Sequence, residues 1–274
     1  MSAIGGALPR LERTGRVTQL RVLRSEWTKL ASVRSTRWSL LAAVILTIGL
    51  PMLFAGVTSS HWGSMGPHER ADRHPLDIAL AGVNVSQLAI AVLGVLTITA
   101  EYSTGMIRST MIAVPKRLPV LWAKMLVYSL VGFALMLPSV LIAFVGSQAI
   151  LDRHHLLQIS FSHGGVARSV IGGAVYLVLV GIFAYTIGAI TRNTAGGIAT
   201  FAGIFFVIPP LMNILPTSWN NAISPYLPSE AGRQIFSLTQ GAHSLSPAAG
   251  GALFAGYCAA ALALAAVLLV TRDT

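Results

Sequence analysis

Six long stretches without a charged residue dominate this sequence of 274 residues. They are residues 38–68, 78–100, 125–151, 169–191, 193–229 and 234–271. A helix needs about 20 apolar residues to cross the hydrocarbon core of a bilayer. A charged side chain at the bilayer centre costs about 2.5–3.5 kcal/mol on insertion scales. With 54% hydrophobic and only 10% charged residues, the sequence predicts an all-α membrane protein with little room for a soluble domain.

Six transmembrane helices are predicted within these stretches, at 38–57, 78–100, 120–150, 166–190, 197–215 and 248–270. This arrangement places 14 of the 19 Lys and Arg residues on one side of the membrane and five on the other. Because cytoplasmic loops are enriched in basic residues, both termini of the six-span domain 37–274 are predicted to be cytoplasmic, in the plasma membrane. Lys124, near the start of the long third helix, is expected to snorkel to the interface.

The N-terminal region is basic, with eight Lys and Arg residues before Trp38. Residues 17–36 are predicted to form an amphipathic helix in the membrane plane, contacting lipid. Its apolar face comprises Leu20, Leu23, Trp27 and Leu30. A helix packed on the cytoplasmic ends of the bundle is the alternative. Residues 1–16 are predicted to be a mobile basic tail, and the proximity of this charge to a membrane span argues against nucleic-acid binding.

The loop between the second and third helices, residues 101–119, is the most informative polar segment. Glu101 is the first charge after a long uncharged helix, and Pro115 is expected to end a short helix at 104–113. Met106 beside Arg108 is suited to docking in a partner's groove. The alternative is a tight loop in which Glu101 neutralises a nearby basic residue.

Polar and proline residues interrupt the apolar stretches. Asn84, Gln87 and Asn213 could line a translocation path or form hydrogen bonds between helices. Two prolines at 209 and 210 break the fifth helix, by a plain kink or at a place where the backbone is buried in protein or lines a wet cavity. Segment 216–247 is predicted to be exterior, with a helix at 229–239 that Ser229 caps.

No enzyme motif is present. The chain lacks a phosphate-binding loop, a nucleophile elbow and a metalloprotease helix. Three histidines in one loop, His61, His68 and His74, could form a weak metal or proton-sensing cluster, but their spacing is loose and neutral polar residues also populate exterior loops, which is the favoured interpretation. The sequence therefore predicts a protein that is not an enzyme and holds no cofactor or metal.

Four stretches, taken in order, resemble the permease (transmembrane) subunits of type-2 ATP-binding-cassette (ABC) exporters of the kind common in actinobacteria. They read LRSEWTK at 23–29, EYSTGMIR at 101–108, VPKR at 114–117 and YLPSEAG at 226–232. The resemblance extends over almost the whole chain, and the stretch at 101–108 is its most specific part.

The resemblance implies an elbow helix at 17–36, a coupling loop at 101–119 that contacts an ATPase subunit, and exterior helices at 216–247. The implied coupling residues are Glu101, Tyr102, Thr104, Gly105, Met106, Arg108, Lys116 and Arg117. ATP and Mg would bind to separate ATP-binding subunits, and a second permease subunit would complete the path for an amphipathic or hydrophobic cargo. The alternative function is a membrane anchor or signalling partner of an ATPase that does not transport.

Overall fold

A computed structural model of the chain describes residues 32–103, 117–154, 156 and 158–271, together with Ser25, Trp27 and Thr28. For Ser103 and residues 117–120 it describes the backbone alone. All regular secondary structure among the described residues is helical, as predicted.

Six helices in the described part of the chain are long and apolar enough to cross a membrane, and we number them spans 1 to 6. Five are continuous helices: Arg34–His61 (span 1), Pro75–Ser103 (span 2), Arg117–Arg153 (span 3), Val166–Thr191 (span 4) and Pro247–Thr271 (span 6). Span 5 is composite, with a helix at Thr194–Ala202, a π-helical turn at Gly203–Val207 and a helix at Ile208–Met212. Each predicted helix overlaps one span, so the six-helix architecture is confirmed.

The observed spans begin at or before their predicted first residues. Span 2, for example, starts at Pro75 and carries Asp77 in its first turn, although the uncharged stretch begins at residue 78. Proline suits the first position of a helix and an acidic side chain suits its first turn. Absence of charge therefore marks the apolar part of each helix, and its polar ends extend further.

Spans 2 and 4 form the centre of the bundle, and the other spans pack around them. In their most apolar stretches 67% and 72% of the residues are buried, against 17–33% in the other four spans. The two central backbones meet at glycines: a Cβ atom on Gly94 would stand 2.4 Å from the carbonyl oxygen of Gly181. Tyr128 of span 3 donates a hydrogen bond to the Ile90 carbonyl of span 2, at 2.9 Å. Small residues permit this close approach between membrane helices.

Between spans 5 and 6 the chain forms a segment of short helices, residues 217–237, which we call the cap segment. It contains helices at Thr217–Ile223 and Pro228–Arg233, joined by a 3₁₀ turn at Ser224–Tyr226. The predicted helix at 229–239 is therefore present but shorter, because the chain turns to pack Phe236 against Tyr176 of span 4, with ring centroids 5.1 Å apart.

The predicted capping role of Ser229 is wrong. Pro228 occupies the first helical position, so Leu227 is the N-cap residue and Ser229 lies inside the first turn. Its side chain is buried there. A proline at the first position is compatible with helix initiation because it lacks only an N–H group that has no partner within the helix.

Candidate functional site

Two polar regions lie at opposite ends of span 2. At the end where span 2 meets the loop 104–116, Glu101 forms an ion pair with Lys124 of span 3. The Lys124 Nζ atom donates a hydrogen bond to Glu101 Oε1 at 2.8 Å, and the two residues are only 4% and 6% exposed. The expectation that Lys124 snorkels to the interface is therefore wrong, because its ammonium group finds a buried carboxylate instead.

Arg192 connects the same end of span 2 to spans 4 and 6. It ends span 4 with a left-handed backbone, φ 53°, and its guanidinium lies 5.3 Å from the centre of the Tyr102 ring. Its Nη2 atom donates a hydrogen bond to the Leu268 carbonyl oxygen at 3.2 Å. A guanidinium over an aromatic ring is an attractive cation–π contact, so Arg192 holds the ends of three spans together.

Span 5 joins this end through two threonines: the Thr194 hydroxyl donates a hydrogen bond to Thr99 Oγ1 at 2.7 Å. We call Thr99, Glu101, Tyr102, Lys124, Arg192 and Thr194 the loop-end cluster. The cluster connects spans 2, 3, 4, 5 and 6 beside the predicted coupling loop.

Of the predicted coupling residues, the structure places Glu101 and Tyr102 in this cluster. The other six lie outside the described residues or, for Arg117, have only the backbone described; they are Thr104, Gly105, Met106, Arg108, Lys116 and Arg117. Glu101 is buried beside Lys124, so it neutralises a nearby basic residue, while the loop itself lies outside the described residues. The coupling role of Glu101 and Tyr102 stays a prediction.

The elbow-helix residues are described only in part. Trp27 is helical and 55% exposed. Leu20, Leu23 and Leu30 lie outside the described residues, as does the tail 1–16. The elbow helix therefore stays a prediction.

The three residues predicted to line a translocation path do not meet in one place. Gln87 is buried, accepts a hydrogen bond from the Tyr176 hydroxyl of span 4, and donates one to the Asn84 carbonyl at 2.8 Å. Asn213 is exposed beyond the end of span 5 and accepts a hydrogen bond from Asn220 at 3.4 Å. Gln87 thus takes the alternative role of a hydrogen bond between helices.

Asn84 instead lines a cavity of about 360 Å³ between span 2 and the cap segment, which we call the cap cavity. Its lining residues are Asp77, Leu80, Asn84, Glu230, Arg233, Gln234, Phe236 and Ser237. Ligand pockets usually measure about 300–1,000 Å³ and combine an apolar wall with a few polar groups. The cap cavity has this size, but its lining is more polar than usual, with only Leu80 and Phe236 apolar.

The cap segment that closes this cavity is held tightly against spans 4 and 6. Arg168 of span 4 donates hydrogen bonds to the Ile235 and Ser237 carbonyl oxygens, at 3.1 and 2.8 Å. A Cβ atom on Gly172 would stand 2.5 Å from the Ile235 carbonyl oxygen, and one on Gly250 would stand 2.6 Å from the carbonyl oxygen of residue 231. These glycines let the cap backbone approach both spans directly.

Span 5 contrasts with the central spans in its exposure. Only 17% of the residues in its apolar stretch are buried; Val207 and Leu211 are 53% and 49% exposed, and Ile214, just beyond the end of the span, is 79% exposed. Its regular hydrogen bonding is interrupted by the π-helical turn at Gly203–Val207 and by Pro209 and Pro210. A proline nitrogen cannot donate to the carbonyl one turn earlier. One face of span 5 therefore combines irregular backbone with a lack of covering side chains.

Comparisons with known proteins do not assign this chain to a group: no protein-family model matches it, and no curated protein matches it either.

Sequence reasoning missed Lys124, Arg192 and Arg168 as contact residues. The first had a usable signal: Glu101 and Lys124 face each other across one helical hairpin, and opposite charges at the same end of neighbouring helices tend to pair when buried. Arg192 and Arg168 bind backbone carbonyls of distant segments. Because every residue has a backbone carbonyl, the pattern of side chains does not indicate which carbonyl an arginine binds.

Proposed function

We propose that this chain is the transmembrane subunit of an ABC exporter in the plasma membrane, with both termini in the cytoplasm. Two such subunits, identical or similar, enclose a path for an amphipathic or hydrophobic cargo, and separate ATP-binding subunits power it. The four-stretch sequence resemblance supports the family, and the uncovered, irregular face of span 5 is the structural observation that carries the proposal.

The surroundings of span 5, whether lipid, protein or water, decide how its irregular backbone is stabilised. Lipid tails offer no hydrogen bonds, so the carbonyl groups that Pro209 and Pro210 leave without a helical donor are stable where a local π-helical turn, neighbouring protein or water supplies one. Within one chain, the helix Ile208–Met212 has no buried residue. A second permease subunit facing span 5 would cover part of this face, and a path between the subunits would hydrate the rest.

The loop-end cluster supports the other half of the proposal, coupling to an ATPase. Glu101 and Lys124 tie the two helices from which the loop 104–116 emerges. Because the Arg192 contacts add spans 4 and 6 to this end, a force applied to the loop would reach most of the bundle. Coupled closure of this kind is a common route from a local contact to a change between two packed states.

Cysteine cross-linking in membranes tests the subunit arrangement. In a Cys258→Ser background, single cysteines replace Val207, Leu211 or Ile214, and copper phenanthroline is added. We expect dimer-sized cross-linked product from at least one of the three. The matched control is Val57→Cys, an exposed aliphatic position on span 1, which should stay monomeric.

Equal, background-level cross-linking at all four positions would contradict a two-subunit path along span 5.

The alternative function, an ATPase anchor that does not transport, is tested separately. The reading frames beside this gene are searched for a phosphate-loop ATPase; such an ATPase is co-expressed and co-purified with the chain, and ATP hydrolysis and export are measured in vesicles. We expect Arg108→Ala to uncouple hydrolysis from export and Arg70→Ala to leave both unchanged. Assembly with the ATPase but no ATP-driven movement of any amphipathic compound would favour the anchor.

A further inference from the structure

The cap cavity combines separate charged and apolar parts. Asp77 and Asn84 lie one above the other on span 2, seven residues apart, and Glu230 and Arg233 approach from the cap segment. Leu80 and Phe236 supply the apolar part of the wall, and both are buried. The cavity is therefore mainly polar, with a small apolar part, and is large enough for the head of a small organic molecule.

The charged side chains of the lining do not balance, because two are carboxylates and one is a guanidinium. Glu230 and Arg233 form a loose ion pair, with 3.7 Å between Oε1 and Nη1, and their side chains are 29% and 52% exposed. Asp77 makes no ion pair with any side chain in the described part of the chain. Arg168 of span 4 directs its guanidinium to the Ile235 and Ser237 carbonyl oxygens. The remaining charge of the lining is one carboxylate.

The carboxylate without an ion-pair partner favours a ligand that donates hydrogen bonds and carries positive charge. The carboxylate oxygens of Asp77 and the amide oxygen of Asn84 accept hydrogen bonds, and an ionised donor makes the strongest bonds to them. An anion would meet Asp77 directly and would be repelled. A protonated amine next to an apolar group would pair with Asp77 and place its apolar part against Leu80 and Phe236.

We propose that the cap cavity binds the ammonium head of an amphipathic amine. The assignment rests on the proposed function, because it names the chemical class of cargo, but binding is a property of this chain alone and is measured without the ATPase. The same head group occurs on a free amine and on phosphatidylethanolamine. The membrane composition in the experiment separates these two sources.

The test uses the full chain in nanodiscs of phosphatidylglycerol, which carries no amine, with 2-phenylethylamine at pH 7 as the probe. Titration calorimetry is expected to show saturable binding of the amine, weaker binding of 2-phenylethanol and none of phenylacetate. Asp77→Asn should raise the Kd of the amine about tenfold, the ratio that corresponds to loss of one charged hydrogen bond. Asp72→Asn, an exposed acid outside the cavity, is the matched control and should leave the Kd unchanged.

Because Asp77→Asn also changes the first turn of span 2, a second variant tests the cavity without altering that turn. Asn84→Phe fills the cavity without changing its charge and should abolish binding of the amine, whereas Asn221→Phe on the exposed surface of the cap segment should not. The measurements are repeated in discs that contain phosphatidylethanolamine. A raised wild-type Kd there identifies the lipid head as the occupant, and an unchanged Kd identifies a free amine.

Similar affinities for the amine, the alcohol and the anion would overturn the proposal, as would wild-type affinity in both Asp77→Asn and Asn84→Phe. A protein that binds the amine as expected but shows no cross-link along span 5 and no ATP-driven export would retain the cavity assignment and lose the exporter assignment.

Discussion

The buried ion pair between Glu101 and Lys124 allows the sharpest test of the structure. The two side chains are 8% and 5% exposed, and their charged atoms are 2.8 Å apart. Removing one partner of a buried ion pair typically costs about 3–5 kcal/mol. We therefore expect Glu101→Gln alone, or Lys124→Met alone, to lower the free energy of unfolding by about this amount.

The double variant Glu101→Gln/Lys124→Met should lose much less than the sum of the single losses, because it buries no charge. The exchange Glu101→Lys/Lys124→Glu should also recover part of the stability. Steric trapping of the unfolded chain in bilayer-like micelles measures these free energies, and the double-mutant cycle isolates the coupling between the two residues.

The matched control is Glu230→Gln, which removes the acid of the longer and more exposed pair with Arg233. Exposed pairs contribute at most about 1 kcal/mol, so this variant should unfold close to wild type. A coupling energy between Glu101 and Lys124 within about 0.5 kcal/mol of zero would refute the reasoning, because two charges at this distance and burial cannot be independent.

Three further outcomes are expected. In a variant without the native cysteine, single cysteines at Met65 and His154 should react with an impermeant maleimide added outside intact cells; reaction only after permeabilisation would reverse the predicted topology. Gly94→Ala should lower the free energy of unfolding by at least about 1–3 kcal/mol, because the added Cβ atom would meet the span 4 backbone. The control is Gly49→Ala, which has open space around it and should not change this free energy. Similar unfolding free energies for the two variants would contradict the close packing of spans 2 and 4. Arg168→Gln should speed amide hydrogen exchange in the cap segment by about tenfold or more, because it loses charged hydrogen bonds to two carbonyls, and unchanged exchange would show that the cap is held by packing alone.

The positions of the spans could be predicted from the sequence because one large free-energy cost, that of placing a charge in the bilayer, decides them. A charged residue at mid-bilayer is expensive enough that uncharged stretches mark the helices almost without regard to packing. The ends were harder to locate. Pro75 and Pro228 both begin helices, and at such positions capping preferences of about 1 kcal/mol compete with one another.

The partner of Glu101 was harder to predict than the helix that carries it. Its position at the end of span 2 followed from the absence of charge before it. Whether its carboxylate faced a partner protein, the loop or Lys124 depended on how spans 2 and 3 rotate about their axes. That rotation is decided by close contacts such as the one between Tyr128 and Ile90, and mean hydropathy carries no information about it. The same reasoning explains why Gln87 and Asn84, three residues apart, ended in different environments.

Span 2 connects the loop-end cluster and the cap cavity, because it contributes residues to both. Asp77 and Glu101 are 24 residues apart on one helix, or about 36 Å at 1.5 Å per residue. Between them, the backbones of spans 2 and 4 are in close contact at Gly94 and Gly181. Packed helices respond to such constraints by moving between discrete arrangements. A displacement at the loop end would therefore reach Asp77 as movement of a nearly rigid helix. Coupling between sites is reciprocal, so occupancy of the cap cavity would in turn bias the loop-end cluster. The exporter proposed above requires this connection between cargo and ATPase, and span 2 is the element of this fold best placed to carry it.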